Sequence, residues 1–180
     1  MDELVTAEAA LTVLDRVLRP VTAGDLARQT PCREYDVASL TGHLLNSITT
    51  LGGAAGAQFP QPDPDASVHR QVTAAAQPAL AAWRQRGVDG NVALGPDPLP
   101  ARVAVGILSI EFLVHAWDYA AATGQQLDVP EEVSARVEQL ARGIITPEGR
   151  KNVGFDPPVE LPAEAPAFDR LLAFTGRRSG

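Results

Sequence analysis

Apolar residues recur every three or four positions through most of the chain, which is the spacing of one face of a helix. The pattern predicts four long core helices, at about residues 3–20, 37–56, 66–86 and 102–123. The apolar stripe of the first helix consists of Leu4, Ala7, Leu11, Leu14, Leu18 and Val21. We find no alternation of apolar and polar residues that would indicate a strand. The pattern therefore predicts an all-α protein.

Capping residues and helix breakers mark where these helices end. Asp36 stands before the second helix, where its carboxylate can accept hydrogen bonds from the backbone N–H groups of the first turn. Gly124 follows the fourth helix, where a left-handed C-cap is common. The stretch from Gly87 to Pro100 is rich in glycine and proline, and we interpret it as a loop.

Two further helical segments follow the four core helices. A shorter fifth helix is predicted from Pro130 to Gly143, with proline in its first turn. The tail, residues 147–180, is rich in proline and ends in a short helical piece from Phe168 to Phe174. We therefore predict one domain, residues 1–180, built as an up-down four-helix bundle with an extra short helix and a wrapped C-terminal tail.

Composition and charge exclude several classes of protein. Fifteen Lys and Arg residues against 22 Asp and Glu residues give a formal net charge of -7, which repels a phosphate backbone, so we expect no nucleic-acid partner. No apolar run reaches the roughly 20 residues of a membrane span, and the acidic start with Asp2 and Glu3 is unlike a secretory signal. We expect a cytoplasmic protein without a membrane partner. The lone cysteine, Cys32, is expected to be a small buried side chain.

The fourth helix carries ionisable groups without a nearby cation. Between Arg102 and Arg136 there is no Lys or Arg, although Glu111, His115 and Asp118 lie in this most apolar segment. An unpaired buried carboxylate costs several kcal/mol, so Glu111 must face solvent, take up a proton or contact a positive partner such as a metal ion. Glu111 and His115 are four residues apart and share one helix face, which suits chelation of one ion.

A third ligand is available on the second helix. His43 lies between Leu40 and Leu44, at the flank of the apolar stripe. A set of His, Glu and His ligands leaves one position of a tetrahedral zinc ion open, which is typical of a catalytic site. The same set suits nickel, iron or manganese, so zinc is a default assignment. Spacing alone leaves open that each histidine is a hydrogen-bonded core residue.

Three segments resemble a known family. TPCREYDVASLTGHLLNSI, residues 30–48, and EFLVHAWDYAAATGQ, residues 111–125, are similar to the two signatures of the DinB-like metal-binding superfamily. The closing segment, Phe155 to Arg177, resembles the tail of the actinobacterial branch related to the N-terminal domain of mycothiol-dependent maleylpyruvate isomerase. The bias toward arginine, with Lys151 the one lysine, fits the same source. Tyr35 stands where the family usually has tryptophan.

The resemblance implies a four-helix bundle that holds a divalent metal ion on His43, Glu111 and His115. It also implies a low-molecular-weight thiol such as mycothiol, which would bind at the open position of the metal as a thiolate. The expected activity is S-transfer to a small electrophile, or its isomerisation. Asn46 and Thr50, one and two turns after His43, are candidate cofactor-binding residues.

Two alternative functions stay open. The same ion could activate water, which would make the protein a hydrolase. A non-catalytic metal-binding or ligand-binding protein, with a homodimer formed through exposed helix faces, is the other alternative. All three hypotheses expect a small-molecule ligand, and none identifies a catalytic side chain. Trp117 or Asp118 could line a pocket or orient His115, although Asp118 equally suits a cap or an ion pair. His69 follows a proline connector and is expected to be exposed.

Overall fold

The computed structural model describes residues 1–95, 97–152 and 155–178, and this part of the chain is mostly helical. A two-stranded antiparallel hairpin precedes the fourth helix, with β1 at Asn91–Ala93 and β2 at Pro98–Pro100. The helices within the described ranges are α1 Glu3–Leu18, α2 Val37–Gly53, α3 Val68–Arg86, α4 Ala101–Thr123, α5 Glu131–Ile144, α6 Pro147–Asn152 and α7 Ala167–Phe174. The predicted all-α bundle is confirmed.

The first four helices form the bundle. α1 packs against α4 and α3, and α2 packs against the same two helices, so the ring of contacts runs α1, α4, α2, α3. α1 and α2 therefore lie across the bundle from each other, and so do α3 and α4, whereas α2 and α3 pack side by side. The connections from α1 to α2 and from α3 to α4 are residues 19–36 and 87–100, and the second contains the β1–β2 hairpin.

Helix α4 is buried nearly all round. It packs against α1, α2 and α5, and its Leu108, Phe112 and Leu113 are fully buried. By length and composition α4 could cross a membrane, but 78% of its most apolar window is buried inside the protein. Such burial is typical of the central helix of a bundle. A polar side chain on the buried faces of α4 is therefore withdrawn from water and needs a partner.

The predicted capping residues and the two later helices are confirmed. Asp36 Oδ1 accepts a hydrogen bond from Ser39 N at 2.8 Å, and Gly124 ends α4 with a φ of 70°. The expected fifth helix is α5, with Pro130 at its N-cap, and the expected helical piece at residues 168–174 is α7.

Some elements depart from the sequence-based expectation. The β1–β2 hairpin lies in the stretch predicted to be a loop, because strands of three residues, one of them Pro98–Pro100, are too short to show an alternating pattern. The short helix α6 lies in the tail, where no helix was expected before residue 168. The second core helix ends at Gly53 rather than near residue 56, and the third begins at Val68 after its cap Ser67.

The tail packs on α5 and brings Arg177 to α4. α7 packs against α5, where Arg170 Nη2 lies 2.7 Å from Oε2 of Glu138. Gly176 follows α7 with a φ of 82°, and a Cβ at this position would lie 2.8 Å from the backbone oxygen of Asp156. A side chain would be strained there. This turn brings Arg177 into the interior, where it is 6% exposed.

Candidate metal centre

The three predicted metal ligands converge between α2 and α4. His43 lies on α2, and Glu111 and His115 lie one turn apart on α4. One ligand atom from each of the three lies within 4.8 Å of the other two. Oε2 of Glu111 is 3.2 Å from Nε2 of His43 and 3.7 Å from Nε2 of His115. The fold thus gathers the three residues, called the trio below; that they bind a metal stays a prediction.

The Glu111 carboxylate is buried and incompletely paired. Its side chain is 13% exposed, and the described part of the chain supplies no hydrogen bond of good geometry to Oε2. Burial alone would raise its pKa, but the imidazole rings of His115 and His43 hold the pKa far below its usual range. An ionised carboxylate that faces two imidazole nitrogens is an arrangement that a cation would complete. The donor set therefore fits a divalent metal ion.

The aromatic ring of Tyr35 stacks against one face of the His43 ring. The two rings stack with centroids 5.2 Å apart and an angle of 25° between their planes. The His43 ring in turn meets His115 edge-on, at 5.2 Å and 86°. Tyr35, which stands where the family usually has tryptophan, keeps an aromatic contact to the histidine of α2.

His115 is hydrogen-bonded to the buried carboxylate of Asp118. Its Nδ1 lies 2.8 Å from Oδ2 of Asp118, which is fully buried. Arg177 completes this group, with Nη2 at 2.8 Å and Nε at 3.2 Å from the same carboxylate. Burial lowers the pKa of His115, but the adjacent carboxylates of Asp118 and Glu111 raise the pKa to about 9. Of the roles weighed for Asp118, two therefore apply together: it orients His115 and it forms an ion pair.

A cavity of about 680 Å³ opens beside the trio. This volume is typical of small-molecule sites, which span about 300–1,000 Å³. Asn46 and Thr50, the predicted cofactor-binding residues, line the cavity on α2, although their role stays a prediction. The other lining residues outside the trio are Cys32, Glu34, Tyr35, Ser47, Leu51, Leu94, Ile107, Phe155 and Arg177.

Two expectations about single residues are wrong. Cys32 was expected to be buried, but it is only partly buried and lines the cavity, where burial still raises the pKa of its thiol. His69 was expected to be exposed, but its Nε2 lies 2.7 Å from Oδ1 of Asp15, and about three quarters of its side chain is buried. Both depend on elements far apart in sequence that pack together, which spacing does not reveal.

Arg177 is the site residue that sequence reasoning missed. The signal was available, because the ionisable groups of α4 have no cation between Arg102 and Arg136. Such a helix requires a partner from elsewhere, and the tail is one of the arginine-bearing segments outside the bundle helices. Which arginine would reach Asp118 depends on how the tail wraps, which the sequence pattern does not give.

Comparison with known proteins identifies the family of this chain. The model of the family "Mycothiol maleylpyruvate isomerase N-terminal domain" matches residues 7–120, a range that contains the whole trio. The chain belongs to this family. Two uncharacterized proteins of Mycobacterium tuberculosis are similar to it: MT0763 of strain CDC 1551 / Oshkosh and Rv0738 of strain ATCC 25618 / H37Rv. Each is 30% identical over 181 residues, which cover 98% of this chain and 98% of the relative. No solved structure gave a significant match.

Membership of the mycothiol maleylpyruvate isomerase N-terminal domain family confirms the predicted DinB-like relationship, and the relatives are actinobacterial. The family match stops at residue 120, before Gly124 and the tail. The two mycobacterial relatives align over nearly the whole chain, so their likeness extends to the tail as well. The family and the trio together are compatible with a metal-binding protein related to mycothiol chemistry.

Proposed function

We propose that this protein is a divalent-metal-dependent enzyme that uses a low-molecular-weight thiol, mycothiol or a close relative, to modify a small electrophile by S-transfer or isomerisation. The observation that carries the proposal is the buried Glu111 carboxylate, whose Oε2 faces Nε2 of both His43 and His115 at the wall of a small-molecule cavity. The name of the family supports a mycothiol-related role.

His43, Glu111 and His115 would hold the metal ion. Three protein ligands leave a coordination position for a molecule from the cavity, whereas structural zinc sites use four protein ligands. A divalent ion bound there supplies Lewis acidity, which lowers the pKa of a coordinated thiol or water. Zinc is the default choice, and nickel, iron or manganese suit the same donors.

Other residues that line the cavity would bind the cofactor and exclude water. Asn46 and Thr50 lie on α2 beside His43, where they can hydrogen-bond the polar groups of a thiol cofactor. Leu94, Ile107 and Phe155 are apolar residues that line the cavity, where they would help to keep water from the electrophile. Cys32 lies in the same cavity, but the raised pKa of its thiol makes it a poor nucleophile at neutral pH. We therefore assign the nucleophile to an exogenous thiol.

The conditions in which the protein works are part of the same proposal. We place it in the cytoplasm, with a small-molecule substrate and without a nucleic-acid or membrane partner, in keeping with its formal net charge of -7. A homodimer formed through exposed helix faces is compatible with this function.

Metal analysis of the purified protein tests the site. His43→Ala, Glu111→Ala and His115→Ala should each lose most of the bound metal but keep their helical content, because the apolar bundle core does not depend on the ion. His69→Ala is the matched control, since His69 lies outside the trio and contacts Asp15. Stoichiometric metal in His43→Ala would disprove the three-ligand site.

A spectroscopic titration tests the thiol. In cobalt-substituted Cys32→Ser protein, mycothiol should produce a new sulfur-to-metal charge-transfer band and release a proton, because a thiol must be deprotonated to bind. The Cys32→Ser background prevents the protein's own thiol from giving the same band. If millimolar mycothiol leaves the spectrum unchanged, the thiol role is wrong. Turnover of esters or amides would then indicate water activation, and binding without turnover would indicate a ligand-binding protein.

A further inference from the structure

Arg177 lies in the interior beside the trio although it comes from the C-terminal tail. It pairs with Asp118, which is 59 residues earlier in the chain, and the two side chains are 5% and 0% exposed. Arg177 Nη1 also donates to the backbone oxygen of Thr175 at 2.9 Å, and its guanidinium lies over the ring of Phe155. Burying a charged pair costs free energy that only good geometry offsets, and apolar residues of similar size often stabilise a protein as well as such a pair does. Tail packing alone therefore does not account for this pair.

The Arg177–Asp118 pair is connected to the trio through His115. An ionised carboxylate can only accept hydrogen bonds, so Nδ1 of His115 donates to Asp118. The opposite nitrogen, Nε2, then points toward Glu111. Two donors of Arg177 hold the Asp118 carboxylate at one angle, and any rotation of that carboxylate would break the bond to His115. Ring orientation of a ligand histidine is commonly fixed by such a carboxylate.

The tail has other attachments that do not touch this group. Arg33, in the loop before α2, pairs with Asp156, where its Nε lies 3.1 Å from Oδ2. Arg170 of α7 pairs with Glu138 of α5. The tail is thus also held by these two ion pairs, and the contact of Arg177 with Asp118 is separable from both.

We infer that Arg177 is a positioning residue for the proposed metal site: it fixes Asp118, and through Asp118 the ring of His115, so that the tail completes a site whose ligands lie on α2 and α4. This inference rests on the proposed function as far as the metal is concerned. Arg177 acts on the ring orientation of His115, and that effect exists whether or not an ion is bound.

Metal affinity gives the first test. Cobalt(II) is titrated in competition with a chelator into wild-type protein, Arg177→Met and Arg33→Met. Arg177→Met should bind cobalt about 10-fold to 100-fold more weakly, the usual effect of removing a group that orients a ligand. Arg33→Met, the control, removes a tail attachment without touching Asp118, so its affinity should stay within about threefold of wild type. Wild-type affinity in folded Arg177→Met, or an equal loss in both variants, would overturn the inference.

A second readout does not need metal. In metal-free protein, the Nδ1–H proton of His115 should give a low-field NMR signal that exchanges slowly with water, because the hydrogen bond is buried. The signal should broaden or vanish in Arg177→Met and persist in Arg33→Met. An unchanged signal in Arg177→Met would refute the positioning role. If wild-type protein binds no metal, the proposed function fails, while this signal still decides the role of Arg177.

Arg177→Lys covers the case in which Arg177→Met does not fold. Lysine keeps the charge but cannot hold a carboxylate through two parallel bonds. The folded Lys variant should bind cobalt more weakly than wild type, with faster exchange of the His115 proton. Wild-type values for both would overturn the inference.

Discussion

Thr41 of α2 and Tyr119 of α4 share a buried hydrogen bond of 2.8 Å between their hydroxyl oxygens. The Thr41 hydroxyl donates to the backbone oxygen of Val37, so Tyr119 is the donor in this pair. Thr41 lies two residues before His43, and Tyr119 lies one turn after His115. The bond therefore locks the helix that carries His43 against the helix that carries the other two members of the trio.

Removing this hydrogen bond should lower stability by a modest amount. We expect Tyr119→Phe to reduce the free energy of unfolding by about 1 kcal/mol, the usual net contribution of one such bond. Thr41→Val removes the same bond from the other side. In urea denaturation, the double variant should lose less than the sum of the two single variants. Strictly additive losses would mean that the bond contributes nothing to holding α2 on α4.

Close packing of α2 on α3 depends on one glycine. A Cβ added at Gly52 would lie 2.6 Å from Cβ of Ala79 and 3.0 Å from its Cα, so the two helix backbones would have to separate. We expect Gly52→Ala to lower the free energy of unfolding by about 1–3 kcal/mol. At Gly53 a Cβ would meet nothing within 4 Å, so Gly53→Ala should be neutral or slightly stabilising. Thermal unfolding of the two variants checks this, and equal melting temperatures would contradict it.

The attachment of the tail to α5 should depend on pH. Glu138 is buried, which raises its pKa, but hydrogen bonds from Arg170 and Arg142 lower the pKa below its usual value. A carboxyl group with a lowered folded-state pKa contributes stability that is present above its unfolded pKa of about 4.3. That contribution is lost as the pH falls through the folded-state value.

Glu138→Gln should therefore reduce the free energy of unfolding by about 1–2 kcal/mol at pH 7, since it removes charge-assisted hydrogen bonds. The difference from wild type should shrink as the pH falls below about 4.3. Urea denaturation at several pH values measures it. Glu164→Gln, at an exposed position of the tail, is the control and should change little. If the stability difference between wild type and Glu138→Gln instead grew as the pH fell, the predicted direction of the pH dependence would be wrong.

Most of the bundle and the trio were predictable because their signals are local. The spacing of Leu40, Leu44 and Ile48 gives α2 its buried face, and the four-residue step from Glu111 to His115 places both on one turn. The joining of His43 to that turn was predicted from residue types and from resemblance to a family. The fold agrees because α2 and α4 pack side by side.

The features that sequence reasoning missed depend on distant contacts. Arg177 reaches Asp118 only because the chain turns at Gly176 after α7, and nothing in a local pattern specifies that path. His69 meets Asp15 because α3 packs on α1. The lack of a cation near Asp118 could be recognised from the sequence, although its partner could not, whereas no local pattern indicated the contact of His69 with Asp15.

The last prediction concerns Thr50 and rests on the proposed function. Thr50 is exposed to the cavity one turn beyond Asn46, where its hydroxyl can bond a polar group of the thiol cofactor. Thr50→Val keeps the shape and removes the hydroxyl. We expect mycothiol to bind the metal-loaded variant about fivefold more weakly, which corresponds to one neutral hydrogen bond of about 1 kcal/mol. Cobalt affinity should not change, because Thr50 lies outside the trio.

Thr49→Val is the matched control for that measurement. Thr49 is the neighbouring residue on α2, but its hydroxyl donates to the backbone oxygen of Leu45 at 2.8 Å, and it does not line the cavity. Calorimetric titration should therefore give wild-type mycothiol affinity for Thr49→Val and weaker binding for Thr50→Val alone. Equal affinities for all three proteins would show that the Thr50 hydroxyl does not bind the cofactor, which would leave Asn46 as the predicted cofactor-binding residue of α2.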